Sequence, residues 1–233
     1  MTKIISEDSI LNYLPIELDK YQLLIFDSIR ITLQMIQNDF DLLEQLIEEI
    51  EDDSVNYQND RIKAFGYVWG IIDKTHRLVK IYKKLPSKSK YKVLDKIKVV
   101  DKFRNTFQHL DERIDESLVK NKLPFYGTIS WFYFENDEIK TKMIVSGIIY
   151  GLNVQFIYPD KKNYSKKIND ITLHAVDRNS YISLNISSLI NDIIELKDQN
   201  ENLLTKIFIE KKWNLRDWTA DRDIFITLKS EKE

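Results

Sequence analysis

The chain has 233 residues, 43% of them hydrophobic, a net charge of −2 and a pI near 6.0. That is enough for one large domain or a helical body with a smaller appended part, and it excludes nucleic-acid binding through the overall field, leaving only a local basic groove for that role. There is no cysteine, no basic-then-apolar leader and no apolar run long enough to cross a bilayer; disulfides, thiolate metal sites and a thiol nucleophile are excluded, and a cytoplasmic protein without a membrane partner is expected.

In chain order, Tyr21, Ile25, Ile29, Met35, Ile36, Phe40, Leu43 and Ile47 recur near 3.6-residue spacing and predict a helix over residues 18–50. Leu23, Leu24, Phe26 and Leu33 make it apolar nearly all round, the pattern of a helix that is buried or shared with a partner subunit. Asn38-Asp39 is a candidate break, and the acidic residues 48–53 read as a solvated loop. Ile62, Phe65, Trp69, Ile72 and Val79 predict a second helix over 59–85, ended by Pro86-Ser87. The most regular stripe, Val93, Ile97, Val100, Phe103, Phe107, Leu110, Ile114 and Leu118, predicts a third over 91–120. Only five glycines and four prolines interrupt the chain, which favours long helices.

Beyond Pro124 the pattern changes to short aromatic or β-branched segments at 126–134, 139–150, 154–158, 171–176 and 181–185, separated by turn-like clusters. Helical spacing returns at Ile186, Leu189, Ile193, Leu196, Leu203 and Ile207, with Asn185 or Ser187 as its cap. Trp213 and Trp218 are expected to pack back on the body. The fold class is α+β, mainly α: an antiparallel helical bundle carrying an antiparallel β-rich segment between the third and last long helices. Its expected parts are a helical bundle at 1–122, the β-rich segment at 123–185, and a C-terminal helix and tail at 186–233.

The residues richest in chemistry lie on the third helix, in the run from Phe103 to Arg113. At 100° per residue, Asn105, His109 and Glu112 form one line opposite the apolar stripe, and Arg104 flanks the stripe within swing of His109. Such a line is also what an ordinary solvated face looks like, or a surface ion-pair network with Asp111, Glu112 and Arg113. Its functional reading is specific. An imidazole exchanges protons near neutral pH, a guanidinium holds phosphate and offsets charge developing on it, and a carboxamide orients without titrating. These groups suit cleavage of an RNA phosphodiester by its own 2′-hydroxyl.

The pattern Arg104-Asn105-x-x-x-His109, continued by Leu110-Asp111-Glu112-Arg113, resembles the Arg–polar–His motif of the HEPN-domain superfamily, over roughly residues 16–120. The resemblance implies a four- or five-helix bundle that dimerises with the two motifs facing. It implies a metal-independent RNA endonuclease in a bacterial toxin–antitoxin or defence system, restrained by an antitoxin protein. Carried over, Arg104 and His109 would be the catalytic pair and Asn105 their polar support. Many such domains are non-catalytic, so a binding or scaffold protein that uses the β-rich segment for recognition is the alternative.

Other residues carry weaker signals. His76 interrupts the second helix's apolar stripe and reads as a boundary histidine or as support for His109; His174 alternates with apolar neighbours and reads as a solvated strand residue. Lys161, Lys162, Lys166 and Lys167 around Tyr164 form a basic loop, either a solvated hairpin or an RNA-guiding surface. Trp131-Phe132-Tyr133-Phe134 reads as core on one face and a contact surface on the other. No metal-ligand spacing, Gly-rich phosphate loop or nucleotide fingerprint is present, and no cofactor is expected.

Overall fold

A computed structural model describes residues 3–50, 57–86, 91–114, 120, 122–135, 138–148, 151–158, 168–178 and 180–227. Asp19 opens the first helix, α1 (Lys20–Glu49). Its carboxylate accepts from the Gln22 amide at 2.7 Å while the Gln22 side chain accepts from the Asp19 amide, pairing two amides that a helix start leaves free. α1 runs unbroken through Asn38-Asp39, against the expected break. Asp39 is held by Lys74 of α2 (Tyr57–Tyr82), at a point where Gly70 lets the two helices close. A Cβ at position 70 would lie 2.6 Å from the Asp39 carboxylate.

The single helix expected over 91–120 is a second correction. It is two pieces, α3 (Leu94–Ile97) and α4 (Val100–Gln108), followed by a 3-10 turn at Asp111–Arg113. Between them the amides of Val99, Asp101 and Lys102 bond three residues back, the tighter winding of a 3-10 step. The stripe survives the step: Val93, Ile97, Val100, Phe103 and Leu110 are all buried. Phe107 and Ile114 are exposed, and Leu118 lies outside the described residues.

β1 (Thr128–Glu135), β2 (Glu138–Val145), β3 (Ile168–Asp177) and β4 (Ser180–Asn185) form one antiparallel sheet in the order β2-β1-β3-β4. Ile129, Trp131, Ile171, Leu173, Ala175 and Leu184 point to the helices and join the same buried cluster as α1, α2 and the last helix, so sheet and helices share one core. By the two-residue period of a strand, Ser130, Phe132, Thr172 and His174 face the other way. One of the five expected strands, 154–158, does not pair with the sheet. Residues 151–158 cross its outer face instead, with Phe156 and Tyr158 against Phe132 and Phe156 against His174. The backbone of Gln155 turns to the Tyr181 hydroxyl, at 3.3 Å from N and 3.2 Å from O, in place of a strand edge.

α5 (Ile186–Lys211) starts at Asn185, whose side chain accepts from the Ser188 amide at 2.7 Å, while Ser187 serves the Ile171 amide. Trp213 and Trp218 do pack back on the core, and the Trp218 indole donates to the Leu14 carbonyl at 2.7 Å. No described helix is long and apolar enough to cross a membrane.

Candidate functional site

α4 is positioned by α2 through three rungs. Trp69 stacks on Phe107 with centroids 4.7 Å apart, Asp73 faces Arg104 at 3.9 Å, and the Asp101 carboxylate meets His76 Nδ1 at 2.7 Å. The α2 numbers rise as the α4 numbers fall, so the two helices run antiparallel and the rungs lie about one turn apart. Arg104 is the middle rung. Its Nε is buried without a hydrogen bond, and Asp73, which also pairs with Arg77 at 2.9 Å, draws the guanidinium toward α2. His76 likewise belongs to this interface, through Asp101.

The opposite side of α4 is open. Asn105, His109 and Glu112, the line drawn on the helical wheel, line a cleft of about 440 Å³ together with Lys102, Asp177 and Arg178. Arg104 does not line it. The helix ends just where the cleft needs it to. His109 is the cap residue (φ −119°, ψ 32°), its amide bonded to the Thr106 carbonyl at 3.2 Å, and the chain turns so that Glu112 Oε1 comes 3.3 Å from His109 Nδ1. Both side chains are more than half exposed, so solvent reaches them.

The far wall comes from the sheet. Buried Thr106 contacts Asp177 at 3.2 Å and docks α4 on the end of β3. Asp177 pairs with Ser180 to close a two-residue turn, and Arg178 enters it with φ +55°, the left-handed backbone such turns require. The cleft therefore holds two fixed cations, two carboxylates, an amide and an imidazole. That set can grip a phosphate and move a proton.

Sequence reasoning found Asn105 and His109 and placed Glu112 beside them. Lys102, three residues before Asn105 on the same face, was within reach of the same wheel. Arg178 and Asp177 arrive from the β3–β4 turn, which the turn-like residues 177–179 mark in the sequence, but no local signal places that turn beside α4. The basic loop of Lys161, Lys162, Lys166 and Lys167 lies outside the described residues.

His174 corrects the expectation of a solvated strand residue. It is 2% exposed, because residues 151–158 cover the face it occupies. Tyr181 donates to the Gln155 carbonyl, so its oxygen accepts from His174 Nδ1 at 2.6 Å, and His174 Nε2 accepts from the Ser130 hydroxyl at 2.6 Å. Burial pushes the imidazole down to about 4. With Phe132, Phe156, Thr172 and Asn185 it lines a second cavity, of about 200 Å³.

Among the described residues no three His, Asp or Glu side chains are grouped to hold a metal ion. No protein-family model matches the chain, and neither a curated protein nor a solved structure is significantly similar to it.

Proposed function

We propose that the chain is a metal-independent endoribonuclease of HEPN type, with α1, α2, α4 and α5 as its HEPN-like bundle and the α4 cleft as its active site. The observation that carries the reading is the convergence of Asn105, His109 and Glu112 with two cations in one open cleft. Lys102 and Arg178 hold the scissile phosphate and offset its developing charge, and Asn105 orients it. Glu112 takes the proton of the 2′-hydroxyl as its oxygen attacks phosphorus. Protonated His109 gives a proton to the departing 5′-oxygen, leaving a 2′,3′-cyclic phosphate and a 5′-hydroxyl. The carboxylate beside the imidazole thus supplies the second proton-transfer group that one histidine lacks. Arg104 is a positioning residue, fixing α4 on α2. The setting we assign is a bacterial toxin–antitoxin or defence system, with a partner protein restraining the activity in the cytoplasm.

The test is cleavage of end-labelled RNA by purified protein in excess EDTA. The reading expects cyclic-phosphate products and a loss of at least about 100-fold in His109→Ala. RNA left intact by the wild-type protein across several substrates would overturn it.

A second reading, a non-catalytic binding protein using the β-rich segment, draws on one observation, the covered cavity on the outer face of the sheet. It expects RNA retained in a gel shift but uncut, with retention lost in Phe156→Ala and kept in His109→Ala.

A further inference from the structure

α1 carries an exposed stripe that nothing described in the chain covers. Tyr21, Leu24, Ile31, Met35 and Leu42 are all exposed, Leu24 at 67% and Met35 at 47%. Their spacing is three, seven, four and seven residues. The gaps are completed by Ser28, Asn38 and Gln45, which are exposed as well. Every position of an alternating 3-4 series from 21 to 45 is therefore open to solvent, while the residues that face α2 and the core follow a separate stripe. A surface helix obeying a 3.5-residue repeat over about three and a half heptads is built to meet another helix of the same repeat.

We propose that this seam docks a second copy of the chain, with the two α1 helices antiparallel about a two-fold axis. The argument for a self-partner is the order of residues along the seam. In one antiparallel register Leu24 meets the partner's Leu42 and Ile31 meets the partner's Met35. The two polar interruptions then meet each other, Ser28 against the partner's Asn38. In the same register Lys20 at one end flanks Glu48 of the partner subunit at the other, twice by symmetry, which is favourable ion pairing across the seam. Asp27 and Asp41 also come together on that flank, but Asp27 is already neutralised by Arg30 at 2.8 Å. A parallel pair would set Ser28 and Asn38 each against itself and would lose the pairing of Lys20 with Glu48.

The contact rests on α1 alone and is independent of the nuclease reading, so either can fail without the other. The natural chain has no cysteine, which makes cross-linking clean. Sedimentation equilibrium should give twice the 27.8 kDa chain mass, and Leu24→Glu with Leu42→Glu should give the single mass with an unchanged far-UV spectrum, since both side chains are exposed. Under mild oxidation Leu24→Cys with Leu42→Cys should form a covalent dimer, while Leu24→Cys alone should not. A wild-type monomer at all concentrations, a double-glutamate variant that stays dimeric, or cross-linking by Leu24→Cys alone would each overturn the proposal.

Discussion

Two histidines in this molecule sit at opposite extremes. His109 ends a helix, stands half exposed beside a carboxylate, and shares an open cleft with Lys102 and Arg178. His174 lies in the middle of a strand under a covering segment, both ring nitrogens committed, its proton affinity driven down by burial to about 4. The same side chain stands open to solvent in one place and is held neutral by burial in the other. What separates them is the cover over the ring and the number of partners already satisfied, so His109 is the one available for the proposed chemistry while His174 supports the sheet's outer face.

The largest expected effect follows from that division. His109→Ala should cost RNA cleavage at least about 100-fold while leaving the melting temperature nearly unchanged. His174→Ala should do the reverse. Leaving Ser130 and Tyr181 without their buried partner should cost about 1–3 kcal/mol, a drop of several degrees read by thermal melting, with the cleavage chemistry retained in the folded fraction.

Next in size is an acid sensitivity confined to the buried ring. The folded imidazole has a lower proton affinity than the unfolded one, so the unfolded state binds the extra proton first. Stability should therefore be full above about pH 6.5 and fall as pH drops toward about 4, by an amount on the order of 2–3 kcal/mol. His174→Gln should flatten that part of the profile.

Smaller effects test the cleft's walls. Arg178→Ala and Lys102→Ala should each weaken RNA binding several-fold and reduce the salt slope by about 0.7 for a single-stranded ligand. Arg104→Ala should be the mildest, a stability loss of about 1 kcal/mol or less and a cleavage rate within a few-fold of wild type. A 100-fold rate loss there would return Arg104 to the phosphate and sharpen the comparison in favour of the motif's usual reading.

Much of this was legible in the sequence where the signal is local. Helical spacing located α1, α2 and α5 within a few residues, and the wheel set Asn105, His109 and Glu112 on one line, as the cleft does. The breaks were not legible. The end of α4 at Gln108 has no glycine or proline to mark it, and the stripe continues past it because Leu110 is buried through the turn. The contact of Arg104 with Asp73 was not legible for a different reason: Asp73 lies on another helix, and only the antiparallel packing of α2 on α4 brings the pair together. The burial of His174 is not legible because alternation says which face a side chain points to, not what covers that face. Arg178 reaches the cleft from the β3–β4 turn, far from α4 in sequence, so nothing local to either ties the two together.

The most direct measurement is single-turnover cleavage of a labelled RNA in EDTA, comparing wild type with His109→Ala and Glu112→Gln at matched folding. Wild type should give cyclic-phosphate products, His109→Ala should lose at least about 100-fold, and Glu112→Gln should also be strongly impaired. Intact RNA with the wild-type protein, or equal cutting by all three, would contradict the proposed activity.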